Sequence, residues 1–251
     1  MKSQPTSPLV ETTIDALEFS KRDAPLQTLY AFNKRCQAFF EDPEATLHYG
    51  VIECINSYKS VRLVFNRFEQ EERLFVTESN LRFDPTTTPC EISHARQSAL
   101  YSLIFIEGES FYTTSKQLLD RSAELFGALF SRKWGPGSTF AQFAGQFDSI
   151  VQAKHLTTEP NLRVLVTELK KFIVDYRNSF IEHRGEFGRG RGIKWGSAGG
   201  VRISWHHKST DAGDIETEPP AKLLGYVQEY LVDFVEFLDA NLGKSPFPKK
   251  A

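Results

Sequence analysis

The chain has 251 residues and a formal net charge of −2, from 30 Lys and Arg against 32 Asp and Glu. That length fits one large domain or two small ones and is enough to bury a sizeable core. The near-neutral balance excludes a nucleic-acid binder that works by bulk charge, and 21 Phe residues exclude a chain disordered throughout. The three cysteines, Cys36, Cys54 and Cys90, form no C-x-x-C pair, so neither a zinc ribbon nor a redox motif is expected. The first residues hold no apolar h-region, and no apolar run approaches the ~20 residues that span a bilayer. The expectation is a cytoplasmic protein with reduced thiols and no membrane contact.

Helical periodicity dominates. Residues 25–41 begin with Pro25, suited to a first helical turn, and carry Leu26, Leu29, Phe32 and Cys36 on one face. A second helix is expected from about 44 to 70 through Leu47, Val51, Ile55, Tyr58, Val61, Phe65 and Phe68. Residues 71–90 end in PTTTPC and read as a loop. From Glu91 to Phe130 no proline interrupts the pattern, which predicts one long helix, kinked at Gly108, or two in succession. A short helix follows over 139–151. Residues 161–187 carry Leu162, Leu165, Val166, Leu169, Phe172, Ile173, Tyr176 and Phe180 on one face and form the clearest helix. Over 189–217 the helical pattern breaks, and Ile193/Trp195 and Val201/Ile203/Trp205 flank Gly-rich turn residues, which predicts a hairpin. Pro219-Pro220 open a last helix to about 242. The sum is an all-α helical bundle, a single domain, with a small β-hairpin inserted before the last helix.

No phosphate-binding loop, nucleophile elbow or H-E-x-x-H is present, so no cofactor and no metal are expected. His206 and His207 are adjacent and would point opposite ways on a strand, so they chelate poorly. One cluster carries chemistry: Arg177, Asn178 and His183, near the end of the strongest helix. At 3.6 residues per turn, His183 falls on the core side, Arg177 at the edge of the apolar face, and Asn178 away from it. Arg177 and His183 are then roughly 9 Å apart along the axis. An arginine binds phosphate bidentately and a histidine moves protons near neutral pH, the parts a metal-free ribonuclease needs. Plain structural roles stand beside these: Arg177 paired with Glu182, His183 at a helix C-terminus, Asn178 solvated, and Asp120 in an ion pair.

Arg177, Asn178 and His183 match the R-x4–6-H signature of the HEPN superfamily, in which a polar residue often follows the Arg. The stretch from Ser110 to Arg121, SFYTTSKQLLDR, resembles the long helix upstream of that motif in bacterial HEPN-like proteins. The likeness covers roughly 91–242, the HEPN-like core, while 1–90 supply N-terminal helices outside it. The resemblance implies a HEPN-like bundle that dimerises. It also implies metal-independent endoribonuclease activity of a toxin or defence type, with an antitoxin as protein partner. Many members are instead inactive binding or dimerisation modules, and that alternative stays open. In the active reading Arg177 holds the scissile phosphate, His183 is the general acid/base and Asn178 assists.

The segment 184–208 holds six basic residues and one acid, a local charge of +5. Arg184, Arg189, Arg191, Lys194 and Arg202, interleaved with Trp195, suit single-stranded RNA. Residues 209–240 carry a charge of −7, which neutralises the hairpin in the competing structural reading.

Overall fold

The computed structural model describes residues 23–41, 45–82, 91–130, 139–178, 192–195, 201–204, 206–209, 213–216 and 219–250. They are mostly helical, and the fold is all-α in class. The helices are α1 (Ala24–Phe39), α2 (Thr46–Arg82), α3 (Glu91–Phe130), α4 (Phe140–Ala153), α5 (Pro160–Leu169) and α6 (Pro220–Ala240). A π-helix, Lys170–Asp175, continues α5, and a 3-10 turn, Leu242–Lys244, follows α6. Between the π-helix and α6, β1 (Gly192–Trp195) pairs antiparallel with β2 (Val201–Ser204), and β3 (His206–Ser209) with β4 (Gly213–Glu216).

Asp23 caps α1, its carboxylate accepting the Leu26 N–H at 3.2 Å, and the other carboxylate oxygen accepts the Tyr58 hydroxyl at 2.9 Å. Gln228 on α6 donates to that same hydroxyl at 3.0 Å, so one buried polar chain ties α1, α2 and α6. Helices α2 and α3, about 55 and 60 Å long, run antiparallel. Ion pairs Arg67–Glu107 and Arg96–Glu78, each 3.0 Å, mark their register. Helix α2 extends to Arg82, twelve residues beyond the sequence expectation. The cause is tertiary: Phe75 is buried with its ring 5.9 Å from that of Tyr101, and Gln97 donates to Ser79. Helix α3 is a single element through Gly108.

Phenylalanines fill the core between α3, α4 and α6. Phe126, Phe143, Phe147 and Phe237 meet in edge, tilted and stacked pairs with centroids 5.1–6.1 Å apart. Such geometries add to the free energy of area burial. Asp120 orients α4 against α3: one carboxylate oxygen accepts the Phe140 N–H at 2.8 Å and the other takes the Lys116 ammonium at 2.7 Å. Its role in the structure is therefore a cap and an ion pair.

Helix α4 ends in a Schellman motif. The Leu156 N–H reaches the Val151 carbonyl at 2.9 Å and the His155 N–H the Gln152 carbonyl at 3.1 Å. The left-handed position is His155, at φ 49°, where glycine is usual. Asn241, fully buried, holds the following loop to the end of α6. The chain then returns along α1, with Phe40 bridged to Lys249 and the Lys250 N–H on the Phe39 carbonyl. Among the described residues no helix is long and apolar enough to cross a membrane.

Candidate functional site

Helix α5 buries Leu162, Leu165, Val166 and Leu169 at ordinary helical spacing. From Lys170 the turns widen to the i→i+5 pattern. The inward face shifts accordingly. Ile173 and Val174 are both buried, while Phe172, expected on the core face, is half-buried, with the Lys171 ammonium 4.5 Å from its ring centre. Tyr176 remains buried and lies against Tyr112 of α3, centroids 4.5 Å apart.

The widened turn changes the setting of the first two motif residues. Asn178, placed on the solvent side by regular 3.6-residue geometry, is half-buried, and so is Arg177. Arg177 Nη1 donates to Asn178 Oδ1 at 3.4 Å, a long bond that still aligns the two. The two residues lie side by side at the end of a π-helix, a geometry found often at functional sites. On the outer side, Lys170 and Asp175 pair at 2.9 Å.

Helix α3 contributes a residue that the sequence motifs do not mark. Ser115 is one turn from Tyr112, fully buried, and its Oγ has no hydrogen-bond partner among the described residues. Neighbouring hydroxyls do not share this state: Ser110, Thr114 and Ser122 each bond a carbonyl of the preceding turn. A buried hydroxyl without a partner costs free energy. Its only sequence signal is membership of the 110–121 stretch.

His183, Arg184, Arg189 and Arg191 lie outside the described residues. Lys194 and Trp195 belong to β1 and Arg202 to β2, where the register pairs Lys194 with Arg202 and Trp195 with Val201. The structure thus brings Arg177 and Asn178 together. Glu182, the alternative partner of Arg177, lies outside the described residues.

A groove of about 590 Å³ opens elsewhere, lined by Asp148, Val151, Gln152, His155, Leu156 and Arg163. Arg163 Nε pairs with Asp148 across it at 3.3 Å. Arg163 lies fourteen residues before Arg177, at the other end of the same helical segment, and the groove takes no part in the motif. Among the described residues no cluster of three or more metal-ligating side chains forms. Compared with models of known protein families, with curated proteins and with solved structures, the chain matches none.

Proposed function

We propose that the chain is a HEPN-like, metal-independent endoribonuclease of a toxin or defence type, acting on single-stranded RNA as a homodimer. The observation that carries this reading is the half-buried Arg177–Asn178 unit at the end of the π-helix, braced through Tyr176 against the long helix that bears residues 110–121. A guanidinium held by a neighbouring amide is preorganised for a phosphate, and partial burial strengthens its hold on developing charge.

In this mechanism the RNA 2′-hydroxyl gives its proton to His183 as its oxygen bonds to phosphorus. The 5′-oxygen leaves and takes that proton from His183, and a 2′,3′-cyclic phosphate remains. Arg177 neutralises the charge that builds on the non-bridging oxygens. The basic segment that includes Lys194 and Arg202, partners in the β1–β2 register, supplies the strand contact.

The test is cleavage of a mixed single-stranded RNA in EDTA by the wild type, Arg177→Ala and His183→Ala. The reading requires cyclic-phosphate ends from the wild type and at least a hundredfold loss in both folded variants. A clean wild type that cuts nothing, or variants that cut equally well, ends it. The second reading, an inactive dimerisation module, draws on Leu103 and Ile106, exposed one turn apart on α3. It requires a dimer that Ile106→Lys splits, without cleavage.

A further inference from the structure

The groove between α4 and α5 carries chemistry that the motif does not use. Buried Val151 and Leu156 give it an apolar floor. Its walls are polar: Asp148 and Gln152 from the last two turns of α4, His155 from the turn that ends α4, and Arg163 from α5. That turn is held on both sides of His155. Its N–H reaches the Gln152 carbonyl, and its carbonyl accepts from the Lys244 ammonium. At about 590 Å³ the groove falls within the size range of small-ligand sites.

Its two charges meet each other. Arg163 Nε lies 3.3 Å from Asp148 Oδ1, and both side chains are at least half exposed. Neither makes a second ion pair among the described residues. The contact uses one atom of each group, so the Arg163 terminal nitrogens remain as donors and Asp148 Oδ2 as an acceptor. Mutual neutralisation disfavours a charged ligand. What the groove offers is donors beside an acceptor, over an apolar floor. The complement is an uncharged flat ring with an acceptor beside donors on one edge. Guanine has that edge: O6 accepts, and N1–H and the 2-amino group donate. Adenine and cytosine show the reverse order, a donor in place of O6 and an acceptor in place of N1–H. Uracil matches with O4 and N3–H but turns a carbonyl oxygen, not an amino group, toward the carboxylate.

We infer that this groove binds a guanine base, with O6 on Arg163, N1–H and the 2-amino group on Asp148, and the ring against Val151 and Leu156. Arginine to O6 is a common specific contact to guanine. Gln152 and His155 make no side-chain hydrogen bond among the described residues and stand exposed at the rim, open to the sugar. The base comes as a free nucleoside or within a single strand. Arg163 lies roughly 20 Å along the helical segment from Arg177, so the inference goes beyond the nuclease reading and does not rest on it.

The experiment titrates guanosine, inosine, adenosine and cytidine into the full chain in EDTA, read by ligand-detected NMR. The wild type should bind guanosine about tenfold tighter than adenosine or cytidine, and tighter than inosine, which lacks the 2-amino group. Asp148→Asn sets an amide in place of the carboxylate, so guanosine should lose its advantage over inosine. Arg163→Met removes the donor to O6, which both nucleosides share, so both should weaken about tenfold with their ratio kept. The two side chains are exposed, so both variants should fold, as circular dichroism checks. A 2′-O-methyl UGU trimer that competes with guanosine places the base within a strand. A trimer that does not compete leaves the free nucleoside, and either result upholds the site. The assignment is overturned if guanosine does not bind at millimolar concentration, or if adenosine binds equally well. It is equally overturned if inorganic phosphate displaces guanosine, which marks an anion site on Arg163, or if the Asn variant keeps the guanosine preference. A chain that binds guanosine in this way but cuts no RNA keeps the groove and loses the nuclease reading. A chain that cuts RNA and ignores guanosine loses the groove alone.

Discussion

Replacing Asn241 should loosen the loop that launches the motif helix. Its amide makes three hydrogen bonds of 2.8 Å: the oxygen accepts the Thr157 N–H, and the nitrogen donates to the Thr157 and Phe237 carbonyls. Asn241 is fully buried, so truncation removes all three and leaves the Phe237 carbonyl dry on that side. At about 1 kcal/mol per bond, Asn241→Ala costs about 3 kcal/mol. For a chain of this length that is a fall in Tm of roughly 6–12 °C. Asn241→Asp is the sharper probe. It keeps the acceptor for Thr157 but turns a carboxylate toward two carbonyl oxygens, so at pH 7 it should be less stable than the alanine variant. Burial and those oxygens raise the folded pKa of the new carboxyl above its unfolded value near 4. A raised carboxyl means the folded state holds the proton longer, so the penalty is absent below pH ~4 and grows as pH rises through the folded value. Urea unfolding of the three proteins at pH 4 and pH 7 reads this directly. An Asp variant as stable as wild type at pH 7, or an alanine variant within 1 kcal/mol of wild type, refutes the account of Asn241 as the clamp.

Two further outcomes follow from buried titratable groups. Burial, aided by the Glu124 carboxylate, pushes the Cys54 thiol up to about 12. In a chain whose other cysteines are serine, Cys54 should resist iodoacetamide at pH 8 and label only as the fold opens; labelling at the rate of a free thiol contradicts its burial. Glu72 is raised by its partial burial and then by Glu69. Its penalty is absent below the unfolded value near 4.3 and appears as pH rises through the higher folded value. Glu72→Gln should therefore raise the urea midpoint at pH 7 and leave it unchanged at pH 4; an equal gain at both pH values would trace the effect to something other than charge.

Each helix was legible where apolar residues recur on one face. The residues Leu162, Leu165, Val166 and Leu169 report their own burial, because a 3.6-residue repeat has one way to hide them. The twelve extra residues of α2 were not legible, since the run from Glu71 to Arg82 is rich in charge and carries few apolar anchors. Pairing with α3 sustains them, through Phe75 against Tyr101 and Glu78 with Arg96. The roles of Asp120 as a cap for α4 and of His155 in a left-handed turn likewise depend on partners twenty residues away or on the closure of one helix end.

By itself the sequence determined the all-α class, the main helical segments and the adjacency of Arg177 and Asn178, because local periodicity and covalent neighbourhood suffice for these. Only the tertiary structure decided that the backbone after Leu169 widens into a π-helix. The order 169, 172, 173, 176 suits a regular α-helix equally well, and nothing local separates the two. Burial of Ile173, Val174 and Tyr176 together, with Tyr176 against Tyr112, accompanies the wider turn, and that turn carries Asn178 from the solvent side to a half-buried place beside Arg177.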